Sequence, residues 1–468
     1  MRELSRKLFA VILAVTVLSA CPSRLPYTPQ ELEQESVPSE FMNRSANDPT
    51  LADLVRASGY DQPWPPEQWR LDTLTLLGLY FNPTIDVARA QAVAASAALT
   101  TANRRAPLSV ELAAEHHSRE VDGSPWSLGI AVGLPIGTEN RREARVMKAG
   151  LLADAAEIEI AASTWRVRSA VRDALVDISA SSQRTRLLEQ RLTVHQELLQ
   201  LLQKRVDAGM ISSRELGRER VASAMAEAEL AVEKSRWADA QGALASALGL
   251  PLETVRSLNI ADDPLDDPGA VPDAMNARGE ALRNRLDVHA GLLEYGAADA
   301  ELRLAVAKQY PVVVLSPGFL WDQGDNIWSL ASAFIVPRST VARVREAEAR
   351  RDVAGEQFTA LQIRVINEVE LARETMQVTK ENVNAGADVV KRAQVQLDRA
   401  SRYFEAGGGD RVELVTARLV AVQAQQHLLD ARVVWRKSIA RFEDAMQRPV
   451  LGEFLNLPAQ QNASGAST

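Results

Sequence analysis

Residues 126–135 read WSLGIAVGLP and residues 328–337 read WSLASAFIVP, so a Trp-Ser-Leu start and a closing proline occur twice in the chain. A second pair keeps nearly the same offset, since AGMISSREL at 208–216 matches AGGGDRVEL at 406–414. Pairs that keep one order and one spacing are typical of an internal duplication. The sequence therefore predicts two repeats of one architecture.

The repeated stretches have the period of a β-strand. In the first of them, bulky apolar side chains alternate with small or polar ones, as expected for a strand whose two faces meet different surroundings. Turn residues separate each stretch from a second apolar stretch, which predicts one hairpin at about 108–135 and another at about 312–336. Pro317 and Gly318 interrupt the third strand, so we expect a bend or a bulge there.

Most of the remaining chain favours helices, because it is rich in Ala, Leu, Glu, Arg and Gln. The predicted helices lie at 71–105, 138–206, 213–248, 276–309, 339–405 and 412–447. At a rise of about 1.5 Å per residue, the second and the fifth would each be about 100 Å long. Apolar residues between 188 and 206 recur at steps of four and three, which predicts coiled-coil packing along these helices. The predicted fold class is mainly α with a small β part.

Composition and charge exclude several classes of protein. The chain has 468 residues, 46% of them hydrophobic and 24% charged, which is enough for a sizeable core. Its net charge of -8 disfavours a nucleic-acid partner, and its single cysteine excludes an internal disulfide. We find no phosphate loop, nucleophile elbow or spaced histidine set. The sequence therefore predicts no enzyme, no cofactor and no metal site.

The first residues resemble an export signal. A basic start and a short apolar run precede Cys21, and Leu18–Cys21 resembles the bacterial lipobox, in which the cysteine is lipid-modified. We expect a lipoprotein signal peptide at 1–20 and a lipid anchor such as palmitate at Cys21. The further predicted boundaries are an extended N-terminal arm at 21–66, repeat 1 at 67–262, repeat 2 at 263–450 and a disordered tail at 451–468.

Strands of about ten residues with one apolar face suit a tilted crossing of a lipid bilayer. Because an open sheet is not tolerated in lipid and four strands are too few to close a barrel, we expect two, three or four chains to share one barrel. The alternative is a lipid-anchored periplasmic coiled-coil scaffold without a pore, in which the hairpins pack on protein. The predicted lipid-facing residues are Trp126, Leu128, Ile130, Val132, Trp328, Leu330 and Phe334.

Three motifs resemble the TolC outer-membrane efflux protein family: NPTI at 82–85, RVDAGMISSREL at 205–216 and ALGLP at 247–251. The resemblance runs from about residue 66 to 448. It implies a homotrimer whose twelve strands form an outer-membrane barrel, continued by a helical tunnel through the periplasm of a Gram-negative bacterium. The implied function is the passive exit duct of a tripartite efflux or secretion system, whose partners are a periplasmic adaptor protein and an inner-membrane pump.

The resemblance also implies roles for two tips, at 208–213 and 406–411. The implied adaptor-binding residues are Ala208, Gly209, Ser212, Ser213, Leu216, Ala406, Gly407, Val412 and Leu414. Glu413 matches an acidic residue of the family's pore constriction, although a solvated glutamate near a helix start is an equal reading. The chain departs from the family's gate at Phe404 and Gly409.

Overall fold

The computed structural model describes residues 36–57, 60, 62–118, 124–262, 265 and 277–449. The predicted signal peptide at 1–20, Cys21 and the tail at 451–468 lie outside the described residues. The chain up to Arg44 forms a unit of its own, in which helix α1 (Ser36–Met42) is described. The second unit begins at Ser45 and contains every other described element.

The second unit is mainly helical and carries one four-stranded sheet. Its helices are α2 (Pro49–Ala57), α3 (Leu71–Phe81), α4 (Pro83–Ala102), α5 (Glu139–Asp207), α6 (Ser213–Leu248), α7 (Leu252–Arg256), α8 (Ala277–Asn284), α9 (Leu286–Ala307), α10 (Thr340–Glu405) and α11 (Arg411–Met446). Its strands are β1 (Ser109–His116), β2 (Trp126–Ile136), β3 (Val312–Asp322) and β4 (Asp325–Ile335). The predicted fold class, mainly α with a small β part, is confirmed.

Two of the six predicted helical stretches are each divided in two. At the first division, the Asn82 side chain accepts a hydrogen bond from the Thr84 backbone N–H at 2.9 Å, and Pro83 occupies the first helical position. Both features favour a new helix start. At the second division, Arg285 precedes α9 in extended conformation and its guanidinium binds Asp287 and Glu368, each at 2.7 Å.

The sheet is antiparallel throughout, in the order β1-β2-β3-β4. The register between β2 and β3 is the same on both sides of Pro317, so no residue is inserted and the expected bulge is absent. Instead, the pairing of β2 with β3 is interrupted between Ala131 and Leu134, opposite Pro317, because proline has no N–H to donate to the ladder.

The helices next to the sheet lie in the same order as the strands. Helix α4 packs against α5, α5 against α9, and α9 against α10. Further along the two long helices the neighbours change, since α6 returns beside α5, and α11 packs against both α10 and α5. The two repeats therefore contribute matching halves of one helical wall.

Each repeat has its own hydrophobic core, at the level where the short helices meet the long ones. In repeat 1, the buried leucines of α3 pack with the middle of α5 and the end of α6, around Leu77, Val171 and Leu244. In repeat 2, α8 packs with the middle of α10 and the end of α11, around Val369 and Phe442. Both cores hold the returning helices to the long ones.

The stretch predicted as an extended arm is partly helical. Helix α2 lies within it and buries Leu51 and Val55 in the core of repeat 1. Trp64 packs edge-on against Trp69 at 5.2 Å between ring centroids, so the following stretch also lies on this core. The prediction of an extended arm is therefore wrong here, because apolar side chains of this segment have a core to bury against.

Among the described residues, no helix combines the length and the hydropathy that a helical membrane crossing requires.

Candidate functional site

One face of the sheet is a continuous apolar surface. Cross-strand pairing places Ile130 opposite Phe319 and Phe319 opposite Trp328, so these residues share one face. The register puts all seven predicted lipid-facing residues on this face, which we call the apolar face. Trp328 is 81% exposed, Leu330 72% and Phe334 65%, whereas Val132 is half-buried. None of the described residues covers the exposed part of this face.

The opposite face of the sheet carries smaller and more polar side chains, and we call it the small-residue face. At the end near the hairpin turns, the Ser127 hydroxyl donates a hydrogen bond to Asp322 at 2.5 Å. The same hydroxyl lies 2.9 Å from Nε2 of His117. These contacts join β2 to β3 and to the residue after β1, and they hold the two hairpins together at this end.

Both outer edges of the sheet lack a strand partner within the described residues, because β1 pairs only with β2 and β4 only with β3. Adjacent strands of the sheet run antiparallel, so β1 and β4 also run in opposite directions. An edge of β4 could therefore continue into β1 of a second copy with the same antiparallel pattern.

The two predicted tips adopt the turn that their glycines permit. Gly209 has φ 68° and Gly407 has φ 77°, a left-handed conformation that glycine adopts without a steric penalty. The structure brings the tips together, because Arg205 donates to the Asp410 carboxylate. Glu197 accepts from Arg411 at 3.0 Å, which adds a second contact between α5 and α11.

The predicted adaptor-binding residues divide by exposure. Leu216 and Leu414 are buried within the chain, and Val412 is half-buried. Glu413 is exposed beside them at the start of α11. The remaining predicted adaptor-binding residues are exposed, and they are Ala208, Gly209, Ser212, Ser213, Ala406 and Gly407.

Asp410 links the tips and also caps α11. Its side chain accepts from the Val412 backbone N–H at 3.0 Å, in addition to the contact with Arg205. The hydrogen bond from Arg205 lowers the pKa of the Asp410 carboxyl, and the Val412 N–H lowers it further. The sequence analysis did not identify the contact between Arg205 and Asp410, because these residues lie about 200 residues apart. An aspartate directly before a helix start is the one sequence signal that indicates the cap.

A buried network of charges joins the middle of α5 to the end of α11, and the sequence analysis also missed it. Glu443 is 0% exposed and accepts from Arg172 at 2.9 Å. Arg172 also binds Asp444 at 2.7 Å. Burial lowers the pKa of Arg168, which lies 3.5 Å from Glu443, and the Glu443 charge opposes this shift. The network fixes the position of α11 on α5 between the two cores.

Solved outer-membrane proteins share this fold. VceC from Vibrio cholerae has this fold with a TM-score of 0.67 at 19% identity, covering 83% of this chain and 100% of that one. The outer-membrane channel OprN matches with a TM-score of 0.67 at 18% identity, over 92% of this chain and 100% of that one.

Residues 79–250 match the model of the outer membrane efflux protein family. A curated relative is the pyoverdine export outer membrane protein OpmQ of Pseudomonas putida, 24% identical over 268 residues. The match covers 54% of this chain and 56% of OpmQ, so it spans little more than half of that relative. The family resemblance predicted from the sequence is confirmed.

Proposed function

We propose that the protein is one protomer of an outer-membrane export duct, a passive conduit for cargo that an inner-membrane pump drives. The observation that carries the proposal is the four-stranded sheet with one exposed apolar face and two unpaired edges. A continuous exposed apolar face marks a surface that another phase or partner covers. Here the covering phase is the hydrocarbon of the outer membrane.

Lipid requires the sheet to close, because unpaired backbone groups cannot be hydrated in hydrocarbon. The smallest single-chain outer-membrane barrels have about eight strands, twice the number in this chain. Three copies joined from β4 to β1 make a closed barrel of twelve strands. The helices next to the sheet follow the same order as the strands, so the same copies continue the barrel as a tunnel.

The tips at 208–213 and 406–411 form the far end of this tunnel and dock to a periplasmic adaptor. The exposed small residues around Gly209 and Gly407 leave room for a partner helix to approach closely. Leu216 and Leu414 are buried within the chain, so in this proposal they support the docking surface formed by the small residues and do not contact the adaptor. Glu413 is the candidate residue for the pore constriction, because it is exposed at the start of α11.

The proposed location is the outer membrane of a Gram-negative bacterium, with an additional lipid anchor at Cys21 and helices that extend into the periplasm. The names of the relatives agree with this location. A scaffold without a pore is disfavoured by the apolar face, because a scaffold would have to cover residues such as Trp328 and Leu330 with protein.

The test is the native mass of the full-length protein extracted in mild detergent. We expect three chains in each particle, and the same number for a Cys21→Ser variant, because the barrel rather than the lipid joins the copies. A Cys21→Ser protein that stays folded, soluble and monomeric without detergent would contradict the duct and would support the scaffold.

A further inference from the structure

The junction between the sheet and the helices carries an excess of positive charge. Four segments make up this junction, at 103–109, 137–148, 307–312 and 336–346, and the second and fourth include the first turns of α5 and α10. Together they contain ten arginine and lysine residues but only three acidic residues, in a chain whose net charge is -8. Both long helices also begin at this level, and the start of a helix adds a partial positive charge.

Two of the positive charges at the start of α5 lie on the side of the small-residue face. A hollow of about 280 Å³ is bordered by Ser109 and Gly133 of that face, together with Arg141 and Arg145. These two arginines are four residues apart and therefore project from the same side of α5. In a closed barrel, the small-residue face lines the pore, so both guanidinium groups lie beside the path of the cargo.

Arg141 and Arg145 begin a stripe of charged side chains. This stripe continues onto the next two helices, α9 and α10, on the same side. Lys148 follows Arg145 on the same side of α5 and binds Glu301 of α9 at 2.9 Å. Glu301 in turn borders a second hollow, of about 300 Å³, together with Lys308 and Arg343. The stripe therefore crosses α5, α9 and α10 at one level.

Most of this stripe is not neutralised by carboxylates. Arg141 donates to two backbone carbonyls, at 3.3 Å and 2.5 Å, and Arg145 donates to one at 3.3 Å. Lys308 and Arg343 form no ion pair within the part of the chain that the structure describes. The glutamates of the second hollow are already bound, because Arg350 binds both Glu301, at 3.3 Å, and Glu346, at 2.6 Å.

The opposite side of α5 and α9 carries fewer charged residues. A third hollow there is bordered mainly by apolar and neutral residues such as Met147, Val306 and Tyr310. Its charged residues are Glu143 and Arg303, and Arg303 is bound to Asp299 at 2.9 Å. The pore side of α5 and α9 therefore carries more unpaired positive charge than the side of the third hollow, and this asymmetry argues against lipid headgroups as the ligands.

We propose that Arg141, Arg145, Lys308 and Arg343 form an anion-binding collar where the tunnel meets the barrel, and that the collar favours small anionic cargo. This inference rests on the proposed duct function and adds the class of cargo. Three copies of the chain bring twelve such charges around one passage. A ring of like charges in a pore attracts counter-ions and repels ions of its own sign.

Arg343 and Arg345 provide a matched pair of variants for the test. Both side chains are exposed at the start of α10, and neither forms an ion pair among the described residues. Because they are two residues apart, they project from opposite sides of the helix. Arg343→Gln removes a collar charge, whereas Arg345→Gln removes the same charge on the other side.

The measurement is the chloride-to-potassium permeability ratio of single channels in planar lipid bilayers, under a KCl gradient at low ionic strength. A unit charge about 10 Å away changes the local concentration of a monovalent ion about twofold without screening. We expect a fall of about twofold or more for Arg343→Gln, a larger fall for the double variant Arg145→Gln with Arg343→Gln, and no change for Arg345→Gln. The differences should disappear near 1 M salt, where the Debye length is about 3 Å.

The outcomes separate the collar from the duct. Normal single channels with equal permeability ratios for Arg343→Gln and Arg345→Gln would overturn the collar and leave the duct intact. Absence of channels from the wild-type protein would overturn the duct and the collar together. A fall for Arg343→Gln alone would support both.

Discussion

Replacing Gly249 with alanine should destabilise the fold through contact with the backbone. Gly249 ends α6 with φ 69°, and an added Cβ would lie 2.4 Å from the carbonyl oxygen of Phe81. It would also lie 3.0 Å from Cα of Asn82, at the division between α3 and α4. Backbone atoms cannot rotate away as the end of a side chain can. Gly209 is the matched control, because it has φ 68° but no atom within 4 Å of an added Cβ.

The two glycines allow the cost of contact to be separated from the cost of conformation. A left-handed conformation costs an L-residue about 1–2 kcal/mol, and this cost applies at both positions. Overpacking a filled site costs about 1–3 kcal/mol, and this cost applies only at Gly249. We therefore expect Gly249→Ala to lower the free energy of unfolding by about 2–5 kcal/mol and Gly209→Ala by about 1–2 kcal/mol.

The assay is guanidinium unfolding of the purified protein in detergent, followed by the helical circular dichroism signal. Gly407→Ala supplies a second control, since Gly407 has φ 77° and open space around it. If Gly249→Ala and Gly209→Ala destabilised the protein equally, the close packing of the end of α6 against Phe81 would be refuted.

Three further changes test other parts of the structure. Leu330→Arg should impair insertion into the outer membrane, because arginine on a lipid-facing strand costs about 2–4 kcal/mol at the bilayer centre. Ser329→Arg, on the small-residue face, should not impair it. Membrane fractionation measures the insertion of both variants. Glu443→Ala should lower the free energy of unfolding by about 3–5 kcal/mol, because it removes the acceptor of a buried ion pair. Protection of the tip amides from hydrogen exchange, measured against the intrinsic exchange rate at each pH, should persist as the pH falls through the usual range of an aspartate, because the hydrogen bond from Arg205 lowers the pKa of the Asp410 carboxyl and the contact is lost only when that carboxyl is protonated.

Each of these predictions has an opposing result. Equal insertion of the Leu330→Arg and Ser329→Arg variants would contradict the assignment of the apolar face to the lipid. An unchanged unfolding midpoint for Glu443→Ala would mean that the buried network adds no stability. Loss of exchange protection at the tips near neutral pH would contradict the lowered pKa of Asp410.

Most helices and strands could be predicted from the sequence, because hydrophobic periodicity and turn residues mark where they begin and end. The division at Asn82 was also visible in principle, because asparagine followed by proline is a helix-start signal. The division at Arg285 was not, since no proline or glycine marks it and its partner Glu368 lies 83 residues away. Local patterns report local backbone preferences, and they do not report which distant charge will compete for a side chain.

Some features of the candidate site could be predicted from local sequence patterns, and others could not because they depend on contacts between distant residues. Alternation along β2 was enough to assign the two faces of the sheet, because successive strand residues point to opposite faces. The excess of arginine at the junction can be counted in the sequence, but the side on which Arg145 and Arg343 lie depends on how the helices pack. The pairing of Arg205 with Asp410 depends on how two distant tips meet.

The unpaired edges of β1 and β4 have a consequence for inheritance. In the proposed barrel, every copy completes the edges of two neighbours, so one copy with a damaged edge leaves both neighbours open. Cells that carry a normal and an edge-damaged gene would therefore assemble mostly mixed, defective particles, and the damaged allele would be dominant. Alleles altered only in the buried cores would instead be removed before assembly and behave as recessive.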